Sequence, residues 1–589
     1  MKKLYIMFFA VLGIAIASCK KEGFLDTKTT ASLNTEVTFA DSANTMDFLA
    51  GLYVDLAYNF QVDNSHNQME SSKLVDEGEG RYPALGNFDK IFTSGTFATT
   101  YFNQWQNQWV LFYRIIRSSN IFLANVDKSP LSAAKKKRVK AEARFVRAYH
   151  YANLLKHFGG IPLVGDNVFT TSDEGTFNRN SFEECVNYIS SELDAIAPDL
   201  PLDYSGFDHG RITKGAALGL KSRVLLYAAS PLYNGGGTST NPELQKLLSY
   251  PTADPTRWEK ARLAAKAVMD LGVYSLNVNN TTKWSGSSAG LGFGFYNVFL
   301  TRKNSEFLLT FLMPPGKQIE RGGLPRSRGG NYFVYPTQEM VDKFPTINGK
   351  PITTDLKSAS NPQGYDLQNP YTNRDPRLSA TVIYNEGLYF DNSTKALGPV
   401  YTYVGASLDG IVAVSSNTAT VTGYYVRKMA DDNAAITGGN NVDRGIPIIR
   451  YAEILLNYAE AANETGNSIE AINTLKLIRN RAGLTAGSNG LYGMPASATK
   501  DEARALIQNE RAIELAFEQH RLWDVRRWKL GPLLDGKFLH GMQIAKVGNN
   551  YTYTLRNVRT RYFKDIYYYF PIPKDDVTLN PKILQNPGY

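Results

Sequence analysis

The stretch Glu510-Arg511-Ala512-Ile513-Glu514-Leu515-Ala516-Phe517-Glu518-Gln519-His520-Arg521-Leu522-Trp523-Asp524-Val525-Arg526-Arg527-Trp528 decides how this chain is read. Arg511 stands three residues before Glu514, and Glu514 four before Glu518, so these charges can pair along a helix. Leu506, Ile513 and Phe517 share one helical face. Arg521, Trp523, Asp524 and Trp528 can close a packed, charge-satisfied corner. Arg and Trp in such density invite a reading as ligand contacts. Their regular spacing among apolar residues reads as scaffold instead.

The same period recurs on either side. Trp105, Trp109, Phe112, Ile116 and Leu123 fall on one face, as do Phe145, Ala148, Tyr149, Ala152 and Leu155. Ala217, Leu220, Val224 and Ala228 repeat it, and so do Ile454, Leu455, Tyr458, Ala461 and Ala462. Ser181 with Glu184, and Thr499 with Glu502, have the spacing of capping boxes and predict helix starts. The many alanines let helices approach closely, which suits stacked pairs of the tetratricopeptide type, although no strict repeat is present. Between the helical blocks, residues about 274–335 and about 345–445 are rich in Gly, Asn, Ser, Thr and Tyr. Residues about 60–100 are also irregular, and Thr420 to Lys428 alternates as a short strand does. The expected fold is mainly α: a tetratricopeptide-like helical scaffold with long loop-rich insertions and minor β-structure.

The amino terminus gives an address. Met1-Lys2-Lys3 precedes an apolar run from Leu4 to Ala17, then Ser18-Cys19-Lys20-Lys21-Glu22. A charged start and a short apolar run make a secretory signal, too short for a good bilayer span. Small residues before Cys19 look like a bacterial lipoprotein signal, so residues 1–18 are expected to be removed and Cys19 acylated. The other cysteine, Cys185, then has no partner, which excludes a disulfide framework and a cysteine-based zinc site. Its helical surroundings predict a buried, inert thiol.

Composition excludes little else. The formal net charge of +9 is mild for 589 residues, and both signs are spread along the chain. The one dense basic cluster, Lys135-Lys136-Lys137-Arg138 with Lys140, Arg144 and Arg147, reads as a solvated helix start, not as a nucleic-acid surface. The six histidines form no zinc motif; His150 and His157 stand seven apart without further ligands in view. No nucleophile elbow or phosphate loop occurs, and Gly290-x-Gly292-x-Gly294 lacks the dinucleotide spacing. Asp76-Glu77 and Asp431-Asp432 are adjacent pairs, and adjacency does not set the separation that glycoside hydrolysis needs. No metal, cofactor or catalytic residue is therefore expected.

Taken in order, several segments resemble the SusD/RagB family. They include Glu142-Ala143-Arg144-Phe145-Val146-Arg147-Ala148-Tyr149, Gly210-Arg211-Ile212-Thr213-Lys214-Gly215 and Tyr335-Pro336-Thr337-Gln338-Glu339. Arg374-Asp375-Pro376-Arg377-Leu378, Arg450-Tyr451-Ala452-Glu453-Ile454 and Ile478-Arg479-Asn480-Arg481-Ala482-Gly483-Leu484 follow. The opening stretch 510–528 and the end, Phe570-Pro571-Ile572-Pro573 to Gln585-Asn586-Pro587-Gly588-Tyr589, complete the set. Each motif is weak alone; their order along nearly the whole chain is specific. The resemblance implies one domain over residues 19–589. Its amino-terminal helical part is about 36–335, and its carboxy-terminal part, about 336–589, carries the loop-rich insertion. It further implies a non-enzymatic, surface-exposed outer-membrane lipoprotein, lipid-anchored and facing the exterior, that captures a glycan or other nutrient oligomer. The partner implied is a SusC-like TonB-dependent transporter, in polysaccharide utilisation. Surface export in the phylum of this family, the Bacteroidota, favours an acidic stretch soon after the lipid cysteine; Lys20-Lys21-Glu22 is only partly acidic, so the outward orientation rests on the resemblance as a whole. A surface glycosidase and an adhesin or assembly protein are the competing functions.

A sugar ring needs an aromatic platform edged with polar groups. Three loop clusters offer one. Trp284 with Tyr296 is the first choice, since Trp284 sits in a Ser/Gly/Asn loop. Arg81, Tyr82, Asn87 and Phe88 form the second, and Arg321, Arg326, Arg328, Asn331 and Tyr332 the third. Each aromatic can equally pin its loop to the scaffold.

Overall fold

The computed structural model describes residues 35–60, 70–81, 88–97, 103–170, 173, 177–331, 333–391, 393–432 and 442–589. The signal segment and Cys19 lie outside them. Among the described residues, the helical array is built from α1 (Asn103–Asn125), α2 (Ala133–Phe158), α3 (Phe182–Ile196), α4 (Lys214–Ala229), α5 (Thr256–Met269), α6 (Tyr451–Glu464), α7 (Ser468–Ala482), α8 (Lys500–Glu514) and α9 (Arg521–Arg527). Each of α1 to α7 packs on the next, and α8 closes on α6 and α7. Helix α5 thus touches both α4 and α6, and the chain between Met269 and Tyr451 is inserted at one joint of the array.

Local chemistry sets the helix ends. Ser181 and Thr499 both complete the capping boxes their spacing predicts. Helix α2 stops at Gly159, whose φ of 77° suits glycine and where a Cβ would stand 2.8 Å from the Leu247 carbonyl. The predicted apolar faces are buried: Trp109, Phe112 and Ile116 on α1, Phe145, Ala148, Tyr149 and Leu155 on α2, Ile454, Leu455, Tyr458, Ala461 and Ala462 on α6. Burying a large apolar side chain contributes roughly 1.5–3 kcal/mol. Helices α2 and α6 are covered on nearly all sides because neighbours flank them on two fronts. The side chain of Trp105 lies outside the described residues.

Among the described residues the strands are β1 (Gly78–Gly80), β2 (Phe307–Leu312), β3 (Val334–Pro336), β4 (Val382–Ile383), β5 (Gly387–Asp391), β6 (Ala396–Val400), β7 (Tyr425–Val426), β8 (Gly445–Arg450), β9 (Lys537–Val547) and β10 (Asn550–Arg561), all short but the last two. They pair antiparallel as β1–β3, β2–β8, β4–β7, β5–β6 and β9–β10. The alternation from Thr420 to Lys428 yields only β7, because the loop before it turns on the Thr420 hydroxyl, which accepts from the amides of Thr422, Gly423 and Tyr424. The longest ladder, β9–β10, was not foreseen from sequence. Its tip is Gly548-Asn549, and its core face carries Met542 and Ile544. Residues 78–80, expected in an irregular stretch, are instead a buried strand on β3.

The opening stretch is scaffold, as its spacing suggests, but its charges pair differently. Glu514 is fully buried and takes Arg377, Arg450 and Arg481 from three other segments, not a residue along α8. Arg511 pairs with Asp524 at 2.9 Å and Arg521 with Asp76 at 2.8 Å. Trp528 donates its indole N–H to Glu460 at 2.7 Å. Along-helix pairing requires side chains lying on a solvated surface, and here they point into a junction of several elements. The basic cluster at the start of α2 is largely matched: Lys137 meets Asp199, Lys140 meets Asp127, and Arg144 and Arg147 share Glu192. Cys185 is buried, and burial pushes its thiol up to about 12, as an inert cysteine requires.

Candidate functional site

Trp284 stands on a tight turn closed by reciprocal backbone bonds with Ser287. Its indole stacks on Tyr296, centroids 4.5 Å apart and planes 18° from parallel. The indole N–H donates to the Leu291 carbonyl at 3.0 Å, and Gly286 lies so close to the ring that a Cβ would overlap it. Arg427 approaches the rings of Trp284, Tyr389 and Tyr296 at 5.2, 5.4 and 6.0 Å. Arg427 also pairs with Asp432 at 2.6 Å, and the Ser285 hydroxyl bonds to both. The Asp432 amide donates to the Tyr296 hydroxyl at 2.9 Å. Burial pushes the Asp432 carboxyl up to about 6 despite the opposing Arg427 charge. Trp284 is half-buried and Tyr296 buried, so the two form a box whose polar groups mostly serve one another.

The second and third sequence clusters meet at one place. The Arg81 amide donates to the Phe333 carbonyl just past the β1–β3 ladder, and the Asn331 amide donates to the Arg321 carbonyl. Arg321, Arg326 and Asn331 are exposed there. Tyr82, Asn87 and Tyr332, and the side chain of Phe88, lie outside the described residues. Arg328 is the exception: it is buried and donates to the carbonyls of Gly398 and Pro399 at 3.2 and 3.0 Å, holding the β5–β6 hairpin.

A larger aromatic surface comes from residues that no sequence cluster contained. Tyr551 and Tyr553 lie two apart on β10 and so share a face. Tyr553 meets Tyr371 edge-on at 5.8 Å, and Tyr371 stacks on Tyr384 at 4.4 Å. Tyr551 meets Tyr403 at 5.9 Å, and Tyr403 meets Tyr401 at 5.8 Å. The Lys546 ammonium, opposite Tyr551 in the ladder, sits 5.1 Å from the Tyr403 ring and under 6 Å from those of Tyr401 and Tyr551, at 5.7 and 5.8 Å. The Tyr551 hydroxyl donates to Glu386 at 3.2 Å. The Val404 amide donates to the Ile544 carbonyl at 2.9 Å, which fixes the 401–404 segment on β9. Tyr401 is exposed and the other five are partly so. The available signals were the Tyr401-x-Tyr403 and Tyr551-x-Tyr553 repeats.

The carboxylates considered for catalysis face the scaffold. Asp76 is gripped by Arg521, with Lys343 beside it, and the pair holds its carboxyl well below the usual range against burial. Glu77 accepts from the Phe517 amide at 2.8 Å, and burial raises its carboxyl to about 7, with the Asp76 charge adding to the rise. His150 is buried in α2, and burial lowers it to about 3. Among the described residues no group of three or more His, Cys, Asp and Glu side chains is placed to hold a metal. No helix among them is long and apolar enough to cross a membrane.

Comparison with known proteins supplies a frame for these features. The SusD family model matches residues 300–589, and a model described as starch-binding associating with outer membrane matches residues 23–226. SusD-like protein P2 of Formosa agariphila is 25% identical over 488 residues, 82% of this chain and 80% of that protein. The starch-binding protein SusD of Bacteroides thetaiotaomicron is 23% identical over 490 residues, 80% of this chain and 76% of its own length. The crystal structure of a SusD-like protein from Bacteroides fragilis superposes with a TM-score of 0.74 at 26% identity, covering 95% of this chain and 99% of the other.

Proposed function

This chain belongs to the SusD family, and from that premise we propose that it binds a glycan at the cell surface without transforming it. The observation that carries the reading is the strip of part-exposed tyrosines around Lys546. Aromatic faces stack on the apolar side of a sugar ring, and phenol hydroxyls, Lys546 and Glu386 meet its hydroxyl rim. Such a surface is open-ended and suits a chain of sugars better than a single one. Half-buried Arg81 with exposed Arg321 and Asn331 makes a second contact area, placed at one end of the β1–β3 pair. Trp284 and Tyr296 stack on each other and serve chiefly to hold their loop, with the open edge of Trp284 available to a ligand. Hydrolysis requires two carboxylates converging on a shared cleft. Asp76 and Asp432 are each bound by an arginine, which supports binding without catalysis.

Acylation of Cys19 would keep the protein on the outer membrane beside a SusC-like transporter, raising the local ligand concentration without tight binding. The test is calorimetric titration with a panel of neutral and acidic oligosaccharides. Tyr401→Ala and Tyr551→Ala are expected to weaken binding about tenfold each, since one stacked ring contributes about 1–2 kcal/mol. Unchanged affinity in both variants would remove the tyrosine strip from the site. Copurification with a large outer-membrane barrel tests the delivery role.

A further inference from the structure

The two halves of the tyrosine strip are joined at one turn. Residues 384–387 close on themselves, the Gly387 amide donating to the Tyr384 carbonyl at 2.9 Å. Tyr384 stacks on Tyr371 in one half of the strip. The buried Asn385 side-chain carbonyl accepts from the Thr402 amide at 3.0 Å, between Tyr401 and Tyr403 of the other half. Glu386 follows with a φ of 68°. It is the third residue of the turn, where a positive φ is normally taken by glycine or asparagine. A β-carbon makes that conformation unfavourable, and such strain persists only where the surrounding structure holds it. Part of that hold is the Glu386 amide, which donates to the Val400 carbonyl at 2.8 Å.

The side chain on this turn is exposed. One carboxylate oxygen accepts from the Tyr551 hydroxyl, and no cation lies within ion-pair distance among the described residues. Lys546 is nearest the Tyr403 ring and forms no ion pair with Glu386. Burial and then the Glu386 charge raise the phenols of both Tyr551 and Tyr553, so the carboxylate lies beside both. A carboxylate has about four acceptor sites, and Tyr551 occupies one. We propose that Glu386 determines which sugar seats over Tyr551 and Tyr553, its carboxylate accepting from two neighbouring hydroxyls of the ring. The inference rests on the tyrosine strip being the glycan site. The sugar class it names is one with a free vicinal diol at that position. Hydrogen bonds to an ionised acceptor are about twice as strong as neutral ones. A site built to accept from hydroxyls discriminates against a ring in which branching or O-methylation has removed them.

Calorimetric titration with the tightest-binding neutral oligosaccharide of a panel, and with its singly O-methylated counterparts, tests this. Methylating either hydroxyl of the diol is expected to weaken binding to the wild type roughly tenfold. Glu386→Gln, which keeps the shape, should weaken the parent oligosaccharide roughly tenfold and no longer distinguish it from the methylated forms. Glu386→Gly should do the same with Tm unchanged or raised, because glycine takes the positive φ without strain. A fall of both Tm and affinity in Glu386→Gly marks a merely structural role and overturns the proposal. Unchanged affinity in both Glu386 variants, where Tyr551→Ala loses binding, also overturns it and leaves the tyrosine strip standing. Full affinity in Tyr401→Ala and Tyr551→Ala removes the strip and this inference with it.

Discussion

Two clusters of cations among the described residues contrast. Around Glu306, Glu510, Glu514 and Glu518, the side chains of Arg377, Arg450, Arg479, Arg481 and Lys428 each meet at least one carboxylate. Around Trp523, by contrast, Arg179, Arg526 and Lys156 meet carbonyls, aromatic rings or no acceptor at all. The first region lies where α6, α7 and α8 converge with β8 and the start of the loop-rich insertion, so several chain segments contribute charges of both signs. The second lies where α2 and α9 pack on the carboxy-terminal segment, which supplies Phe570 and tyrosines and no carboxylate to these cations. Burial of arginine is therefore common here, while its compensation is local and depends on which segments meet.

The sharpest way to break the contrast is to remove a carboxylate from the first region. Glu514→Ala leaves Arg377, Arg450 and Arg481 short of a shared partner, and should destabilise by about 3–5 kcal/mol in urea unfolding. A loss under 1 kcal/mol would mean the remaining carboxylates suffice. Glu77 gives the anionic counterpart, a buried acid whose carboxyl is raised to about 7. The unfolded chain keeps the lower value, so it releases its proton first as pH rises. Stability is thus fully present below about pH 4.5 and declines through pH 7, by about 3 kcal/mol at most. Glu77→Gln should flatten that decline, measured as unfolding free energy between pH 4 and 8; a parallel profile would reject the assignment. Next come the neighbours on α9. Arg527→Met strands Glu460 and should cost about 3 kcal/mol, whereas Arg526→Met should be neutral or stabilising by about 1 kcal/mol. Equal losses at both positions would erase the distinction between the regions. The smallest effect is expected at Tyr401, where Tyr401→Ala should change Tm within error because the side chain is exposed.

Much of the scaffold was legible because its signals are local. A capping box needs four residues and a helix face about a dozen, so Ser181, Thr499 and the α1, α2 and α6 faces could be placed from spacing alone. The scaffold role of 510–528 was legible for the same reason. Its partners were not: Arg521 finds Asp76, 445 positions away, and no periodicity encodes that choice. The aromatic surfaces divide in the same way. Trp284 and Tyr296, twelve residues apart, were grouped by sequence and do stack. The six tyrosines of the strip come from four segments brought together by β9–β10 and the loops beside it, so only tertiary structure assembles them.

The clamp formed by residues 76 and 77 also bears on the order of folding. Asp76 binds Arg521, and Glu77 caps the amide of Phe517, which holds a left-handed φ of 58° with Gln519 at 67° close behind. These contacts span 440 or more positions of the 589, so their closure waits until most of the polypeptide has emerged. Two family models match separate stretches of the chain, yet severing it between them would leave Asp76 and Glu77 on one fragment and their partners on the other. The halves should behave as a single cooperative folding unit. Expressed apart they should be insoluble, and mixed together they should complement one another.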